Sequence, residues 1–195
     1  MRYKPEHKER TRARILAEAA RLFRGRGYEG VGLDEIMAAA GLTRGGFYGY
    51  FRSKRHLFTQ IMRGNHDFNR RMAARAGTER EALTREALAV VGGYLDPANR
   101  EKIGRGCHLA SLSADVARAD RATRAAYRAK LEELVAEFGR GLRSPRPRDP
   151  RALAAIALCV GSVVLARAVD DAGFAAEIEA AGRAAVADRL TARPT

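Results

Sequence analysis

The residue types that most often carry chemistry in proteins are few and scattered in this sequence. The two cysteines, Cys107 and Cys159, have no paired metal-ligand spacing and are too few for a disulfide framework. The four histidines form neither an HxxxH pair nor an HExxH motif; they are His7, His56, His66 and His108. No Ser-His-Asp grouping or phosphate-binding loop is recognisable. We therefore expect no enzyme, no metal and no cofactor.

Cys107 is the cysteine with the more reactive setting. It stands at the predicted start of a helix and follows Arg100, Lys102 and Arg105. Helix N-termini and nearby cations both lower the pKa of a thiol, which favours a thiolate. A small buried cysteine that only packs is the more frequent alternative. Cys159, inside an apolar helix, is predicted to be inert.

Positive charge is concentrated in the first part of the chain. The whole sequence has 36 Lys and Arg against 23 Asp and Glu, a net charge of +13. Residues 1–60 contain 13 against 6, so their charge density is more than twice that of the remainder. A polyanion is the natural partner of such a segment. An Arg-rich composition with solvated side chains explains the same excess, so charge alone leaves both interpretations open.

The elements that position these residues are predicted to be helices. Helix-favouring Ala, Leu, Arg and Glu dominate, and no run of β-branched residues alternates as a strand would. The first helix is expected at residues 9–24 and is ended by Gly25 and Gly27. Its apolar face consists of Ile15, Ala19, Leu22 and Phe23.

Two short helices are predicted next. The first begins near Leu33, has acidic residues in its first turn where the helix dipole favours them, and ends at Gly41. The second spans Arg44 to Tyr50 and has Thr43 as its N-cap. Two short helices joined by a tight turn that contains Gly form a helix-turn-helix.

The remaining chain is predicted to be helical, which gives about nine helices in all. A longer helix capped by Ser53 is expected at 53–75, and it links the two parts of the protein. The helices expected after it lie at residues 79–94, 107–117, 120–142, 150–169 and 174–190. The most apolar run, 152–166, is too short to span a bilayer, and the N-terminus lacks the apolar core of a signal peptide. These features predict a cytoplasmic protein with no membrane partner.

Four motifs occur in order within residues 11–54: TRxxILxxA, LFxxxGYE, DEIxxxAGLT and FYGYFRSK. This segment of about 45 residues resembles the N-terminal domain of the TetR (tetracycline-repressor-like) family of bacterial transcriptional regulators. The resemblance implies an all-α fold. It also implies a three-helix DNA-binding domain at residues 1–52 and a larger effector-binding and dimerisation domain at residues 53–195.

The function implied by the resemblance is that of a repressor. It binds a palindromic operator in double-stranded DNA as a homodimer and is released by a small molecule. Two alternatives stay open. One is a DNA-binding activator, or a regulator controlled by a protein partner, with the same fold. The other is a sensor of electrophiles or oxidants through Cys107, as in some TetR-like regulators.

The start of the second short helix is expected to face the bases. In a helix-turn-helix these N-terminal residues enter the major groove, and here they are Thr43, Arg44, Gly45 and Gly46. Arg44 suits bidentate contact with guanine, worth about 1–3 kcal/mol of discrimination. The two glycines permit either close approach of the backbone to DNA or tight packing within the chain.

Four further residues are expected to support DNA binding. Tyr48 and Tyr50 resemble the family's aromatic contacts to phosphate and groove, although Gly49 between them replaces the larger residue usual in the family. Lys54 lies at a helix N-terminus, where its charge is unfavourable unless a phosphate is bound there. Arg12 is expected in an N-terminal arm together with Lys4, Lys8, Arg10 and Arg14.

The C-terminal part is expected to bind an effector and a second subunit. The predicted ligand-binding residues are Met62, Phe68, Met72, Tyr94, Cys107, Leu112 and Tyr127. Dimerisation is expected through the helices at about 150–169 and 174–190, where Gly161 and Ser162 allow close approach of a partner. The predicted inner face of the last helix consists of Ile178, Ala181, Ala185 and Val186.

Overall fold

The computed structural model describes residues 5–64, 66–102, 106–142 and 146–192, and within these ranges every regular element is a helix. The nine α-helices of this part are α1 Pro5–Arg26, α2 Leu33–Ala39, α3 Lys54–Arg63, α4 Asp67–Ala73, α5 Arg80–Tyr94, α6 His108–Ala117, α7 Arg121–Gly139, α8 Pro150–Ala168 and α9 Ala172–Thr191. Two 3₁₀ segments, Arg44–Gly49 and Pro97–Asn99, complete it. The predicted all-α class with about nine helices is confirmed.

Helix α1 begins earlier than predicted, at Pro5, a residue type that the first helical position accepts. The expected arm is therefore wrong for the described residues. Arg10, Arg12 and Arg14 project from a helix, whereas Lys4 lies outside the described residues.

The turn after α1 and the turn after α2 depend on glycine. Gly27 has φ 75° and Gly41 has φ 66°, a left-handed conformation that other residues rarely adopt. The Gly41 amide donates to the Ala38 carbonyl at 2.9 Å, and the Leu42 amide donates to the Met37 carbonyl at 2.8 Å. These bonds satisfy the last carbonyls of α2 and confirm the predicted helix end.

The long helix predicted at residues 53–75 is wrong, because the chain breaks it into α3 and α4. Gly64 adopts extended backbone (φ −68°, ψ 154°), and His66 is also extended as the N-cap of α4. Glycine is among the poorest helix formers, and Asp67 in the first turn of α4 suits a new helix N-terminus. The single helix predicted to link the two parts of the protein is thus two separate helices.

Both helices are held against α7. A buried hydrogen bond of 2.7 Å joins the hydroxyls of Thr59 and Thr123, and the Asn69 amide donates to the Lys130 carbonyl at 2.9 Å. Next to α4, the buried Arg75 guanidinium donates to the carbonyls of Met72, Leu83 and Glu137. One side chain thereby ties α4 to α5 and α7.

The helices surround two hydrophobic cores. The N-terminal core contains the apolar faces of α1, α2 and α3 together with Phe47 and Phe51, and it also takes in Leu112, Val116 and Ala126 from α6 and α7. The C-terminal core is built from α4 to α9. Helix α6 therefore packs directly on α1. The domain boundary at residue 52 stays a prediction.

Helix α8 is the one helix in the described ranges that is long and apolar enough to cross a bilayer. It has 19 residues, more than the apolar run seen in the sequence. Asp149 caps it through the Arg151 amide at 2.7 Å, as predicted, with Pro150 in the first turn. It packs along α9 and contacts α6 and α7, which is how an apolar core helix of a globular domain behaves.

Candidate nucleic-acid interface and effector cavity

The predicted second helix of the helix-turn-helix is a 3₁₀ segment, Arg44–Gly49, rather than an α-helix ending at Tyr50. Three of its six residues are glycines, which favour the α-helix poorly, and short 3₁₀ pieces tolerate such sequences. Thr43 has the extended backbone of an N-cap, but its side chain makes no capping hydrogen bond. The exposed Thr43 hydroxyl is therefore not used to cap this segment.

The segment is anchored by aromatic side chains beneath it. Phe47 is fully buried, and Phe51 lies beside it with ring centroids 5.8 Å apart. A Cβ placed on Gly45 or Gly49 would meet nothing within 4 Å, and one on Gly46 would lie 3.7 Å from the Met37 methyl. Packing within the chain does not require these glycines, so the interpretation that they permit tight internal packing is not supported.

The outward surface of the segment carries the predicted contact residues. Thr43, Arg44, Gly45 and Gly46 are exposed, and Tyr48 is 65% exposed with its ring packed edge-on against Phe47 at 5.4 Å. Tyr50 is half-buried. The structure thus gathers these residues on one small surface, with Tyr48 held by its neighbour and directed to solvent.

Arg44 has a partner within the chain. Its guanidinium donates to the Asp34 carboxylate of α2 at 2.7 Å, and both side chains are more than half exposed. Exposed ion pairs of this kind are worth about 0–1 kcal/mol. A guanine or phosphate can therefore replace Asp34 at small cost.

Lys54 and Arg12 lie against aromatic rings instead of standing free. The Lys54 ammonium is 4.3 Å from the Tyr28 ring centroid, a cation–π contact that stabilises its charge without a phosphate. The Arg12 guanidinium lies 5.1 Å from the Phe51 ring and donates to the Gln60 side chain at 3.3 Å. Ser53 caps α3 as predicted, accepting from the His56 amide at 3.0 Å.

A cavity of about 430 Å³ lies among α4, α5, α8, α9 and the start of α6, within the size range of small-molecule sites. Of the predicted ligand-binding residues, Phe68, Tyr94 and Cys107 line it. Met62, Met72, Leu112 and Tyr127 are absent from the described lining. Met62 and Leu112 are fully buried in the N-terminal core and Met72 in the C-terminal core, while the Tyr127 hydroxyl is bonded to Ser113 at 2.6 Å.

The charged residues of the cavity were missed in the sequence. Its described lining includes six cationic side chains: Arg24, Arg70, Arg71, Arg100, Lys102 and Arg167. Three acidic side chains accompany them: Asp67, Asp96 and Glu179. Asp67, Arg70 and Arg71 lie beside Phe68, and Arg100 and Lys102 shortly precede Cys107, so these residues offered a local signal. Arg24, Arg167 and Glu179 come from distant helices and offered none.

A buried pair of histidines lies beside this cavity. His66 and His108 have ring centroids 3.9 Å apart, and the Arg24 guanidinium of α1 lies 3.0 Å from His108 Nε2. Within the described ranges, neither ring nitrogen of His66 has a hydrogen-bond partner. Burial, reinforced by neighbouring cations, lowers the pKa of His66 to about 4 and that of His108 to about 2. Both imidazoles are therefore neutral at neutral pH.

Comparison with known proteins matches residues 15–61 to the family of bacterial regulatory proteins named after TetR. A transcriptional regulator from Chloroflexus aurantiacus, described as TetR, has the same fold with TM-score 0.74 and 26% identity, over 96% of this chain and 98% of that one. The N-terminal part of the chain thus matches the TetR family, and the chain over nearly its whole length has the fold of this TetR regulator. In its reduced form, E. coli NemR also has this fold, with TM-score 0.74 and 24% identity over 90% of this chain and 94% of that one.

Two curated relatives match part of this chain. The HTH-type regulator AcrR of Shigella flexneri is 45% identical over 53 residues, 27% of this chain and 25% of its own length. The HTH-type regulator YfiR of Bacillus subtilis is 30% identical over 91 residues, 47% of this chain and 42% of its own length. The chain thus covers less than half of either relative. The match to a family of regulatory proteins agrees with the expectation that it is not an enzyme.

Large apolar side chains of α8 and α9 are exposed in this structure. They are Leu153, Val164, Leu165 and Phe174. Gly161 is partly exposed, with nothing within 4 Å of a Cβ placed on it. Ser162 was also predicted to allow close approach of a partner, but it is buried. A Cβ on Gly182 of α9 would lie 2.1 Å from the Ser162 hydroxyl, so Ser162 packs within the chain.

The inner face predicted for α9 is also wrong at most positions. The buried residues of this helix are Ala175, Glu179, Gly182, Val186 and Leu190. Ala181 is exposed, whereas Ile178 and Ala185 are half-buried. Alanine occurs all around α9, so the sequence did not show which face of the helix is buried. Packing against α8 and α5 decides which face that is.

Cys107 is buried, in agreement with the alternative that it only packs. It is the N-cap of α6, as its place at a helix start predicted, and it is 6% exposed. Burial raises the pKa of the Cys107 thiol, and contact with the Tyr94 hydroxyl offsets only part of this. Desolvation therefore outweighs the helix terminus and the cations, and the alternative of a reactive thiolate receives no support. Burial also raises the pKa of Cys159 to about 12, in agreement with its predicted inertness.

Proposed function

We propose that this protein is a cytoplasmic, ligand-responsive transcriptional repressor that binds a palindromic operator as a homodimer. The observation that carries the proposal is the exposed 3₁₀ segment. Arg44 and Tyr48 stand in solvent above the buried Phe47 and Phe51, and the glycines leave the backbone uncovered. This arrangement suits the entry of a short helix into a major groove.

Each residue of the segment has a role in this proposal. Arg44 exchanges Asp34 for a guanine edge, and Thr43 contacts a base or phosphate beside it. Gly45 and Gly46 allow the backbone to approach the DNA, while the Tyr48 and Tyr50 hydroxyls bind phosphates.

Lys54 and Arg12 contribute positive potential from positions fixed by aromatic rings. Phosphate contacts of this kind raise affinity without reading sequence. Their effect on binding is therefore expected to be similar for cognate and random duplexes and to weaken as salt is raised.

A homodimer formed through α8 and α9 would bury the uncovered apolar surface and present two 3₁₀ segments to two half-sites. Leu165, 58% exposed, is the most exposed large apolar residue of this surface. Leu165→Glu should convert a dimer in sedimentation to a monomer without loss of helix content. The control is Arg85→Glu, which changes the charge of an exposed residue outside the surface and should leave the dimer intact.

DNA binding is tested with the duplex upstream of the protein's own gene, by fluorescence anisotropy at moderate salt. Arg44→Ala should weaken binding of the cognate duplex about tenfold or more, because a bidentate guanine contact is worth about 1–3 kcal/mol. Tyr48→Ala should weaken it as well, whereas Arg85→Ala should not. Equal affinity of the unaltered protein for the upstream duplex and for random DNA would overturn the proposal.

Release by a small molecule in the cavity completes the proposed function. A ligand changes DNA affinity only if it favours one of two arrangements of the subunits. The alternative of a thiol sensor receives less support, because Cys107 is buried with a raised pKa. Cys107→Ser should therefore leave release from DNA by electrophiles unchanged, measured with the same anisotropy assay.

A further inference from the structure

The cavity contains more positive charge than its acidic residues neutralise. Asp67 pairs with Arg70 at 3.0 Å, and Glu179 accepts two hydrogen bonds from Arg100 at 3.1 and 2.9 Å. Asp96 caps the 3₁₀ segment that follows α5, through the Ala98 amide. Every described acidic side chain of the lining is therefore engaged already.

Arg167 and Arg71 remain without a carboxylate. Arg167 is half-buried, and within the described ranges its hydrogen bond runs from Nε to the Arg100 carbonyl at 3.1 Å. Arg71 makes no hydrogen bond or ion pair with a described residue. The residues outside the described ranges include no Asp or Glu. A half-buried guanidinium loses part of its hydration and is stable only with a compensating partner.

Arg71 lies at the rim of the cavity, against Gly93 of α5. A Cβ placed on Gly93 would be 2.6 Å from Arg71 Nη2, the end of a flexible side chain. Both residues line the cavity, and Arg71 is exposed. Its charge, which no carboxylate neutralises, is therefore at the open edge of the cavity.

The inner wall of the same cavity is apolar and aromatic. Phe68 and Tyr94 are stacked with ring centroids 4.2 Å apart, and Val163 and Cys107 lie beside them. The Tyr94 hydroxyl is buried and has no hydrogen bond of good geometry to a described residue. Such a wall accepts the apolar body of a ligand.

Arg24 joins this cavity to the DNA-binding helices. It belongs to α1, lines the cavity, and lies against His108 at the start of α6. An anion in the cavity attracts its guanidinium and competes with His108 for it. Occupancy of the cavity would thereby act directly on α1.

We propose that the cavity binds an organic anion, with its acidic group between Arg71 and Arg167 and its apolar body on Phe68 and Tyr94, and that Arg24 transmits its presence to α1. The binding step stands on the cavity alone. The transmission step rests on the proposed function, since it requires DNA binding.

The binding step is tested on the unaltered protein with a pair of fluorescent probes. Anilinonaphthalene sulfonate is an aromatic anion, and phenylnaphthylamine is its uncharged analogue. The sulfonate should saturate one site per chain and bind about tenfold or more tightly than the amine, because charge-assisted contacts to two guanidinium groups are lost in the latter. Naphthoate should displace the sulfonate and naphthamide should not. Equal binding of both probes, or equal displacement, would overturn the proposal.

Variants locate the binding. Arg71→Gln combined with Arg167→Gln should weaken binding of the sulfonate about tenfold and change that of the amine less than about twofold. Arg71→Lys combined with Arg167→Lys keeps the charge and should retain most of the affinity, which separates loss of charge from loss of folding. The matched control is Arg85→Gln, an exposed residue of α5 outside the cavity. An unchanged affinity in the double Gln variant would overturn the assignment.

The transmission step is tested by the same sulfonate in the DNA-binding assay. It should lower the DNA affinity of the unaltered protein. Arg24→Gln should abolish this response even at a sulfonate concentration that saturates the variant in the probe titration. A response in Arg24→Gln equal to that of the unaltered protein would overturn the transmission step. If the protein binds no cognate DNA even without the sulfonate, the proposed function fails, and the probe titrations still decide the binding step.

Discussion

The arginines of the 3₁₀ segment and of the cavity are neutralised in opposite ways. Arg44 is exposed and has a carboxylate partner, Asp34, that it hardly needs. Arg167 is half-buried and has no carboxylate partner among the described residues. Water solvates the first and only partly the second, so an unpaired charge is informative at the second position and ordinary at the first. Burial, not charge, separates a candidate ligand-binding arginine from a surface one.

The two regions also differ in how they hold their functional surface. The 3₁₀ segment has only six residues and is anchored by two buried phenylalanines. The cavity is framed by five helices that fix one another, among which α8 and α9 pack along their length. A single core substitution should therefore affect the first region more than the second.

The largest expected effect is that of Phe47→Ala, which removes the anchor of the 3₁₀ segment. Deleting a fully buried Phe costs about 3–5 kcal/mol of unfolding free energy, measured in urea. Binding of the cognate duplex should be lost, while the affinity of the cavity for anilinonaphthalene sulfonate persists under conditions in which the protein stays folded. Tyr48→Ala, which removes an exposed ring, should cost less than about 0.5 kcal/mol. Similar costs for the two variants would contradict the anchoring role.

The corresponding test in the C-terminal region is Gly182→Ala. The added methyl would lie 2.1 Å from the Ser162 hydroxyl and 2.9 Å from its Cβ, and overpacking of this kind costs about 1–3 kcal/mol. Ser162→Gly should relieve the clash, so the double variant should be more stable than Gly182→Ala alone. Thermal unfolding measures all three. If Ser162→Gly brings no recovery, the close contact of α8 and α9 is not at this point.

The region between the two cores should respond to acid. The pKa of His66 is lowered from its ordinary value of 6.5 to about 4 by burial, with Arg24 and Lys130 adding to the effect. The unfolded chain therefore binds more protons than the folded chain between these values, and the unfolding free energy falls as the pH falls from about 6.5 to 4. The loss is about 3 kcal/mol, since a change of one in pKa corresponds to about 1.4 kcal/mol.

His66→Phe removes this titration while keeping an aromatic ring next to His108. Because neither His66 nitrogen has a hydrogen-bond partner among the described residues, the substitution sacrifices no bond there. Urea unfolding at several pH values should give a flatter dependence than in the unaltered protein. The exposed His7, replaced by Gln, serves as the control and should leave the slope unchanged. Parallel slopes in both variants would remove His66 as the cause.

The smallest expected effect concerns the partner of Arg44. Asp34→Asn removes an exposed carboxylate whose pair contributes about 0–1 kcal/mol, so stability should hardly change. Affinity for DNA should rise about two- to fivefold at low salt, since one negative charge near the phosphates is lost. Asp188→Asn on α9, also exposed, is the control. An unchanged affinity in Asp34→Asn would mean that Arg44 does not exchange its partner on binding DNA.

The sequence determined those features that depend on neighbouring residues. Gly27 and Gly41 end their helices in a left-handed conformation, Ser53 and Asp149 cap theirs, and the motifs of residues 11–54 indicated the helix-turn-helix. These features require only local backbone preferences and hydrogen bonds, so they are readable within a few residues. Apolar periodicity likewise identified the helices. It joined residues 53–75 into one helix, however, whereas α3 ends just before Gly64 and α4 follows as a separate helix.

Only the tertiary structure decided which of these residues form a site. Met62 and Leu112 are apolar residues of the kind that line pockets, but they lie in the N-terminal core. Arg24 and Arg167 belong to helices far apart in sequence, and both line the same cavity. Burial decided against the thiolate of Cys107, because desolvation exceeds the effect of the helix terminus. Whether a side chain is solvated, and what neutralises its charge, depends on helices that pack from elsewhere in the chain, and no local pattern encodes that.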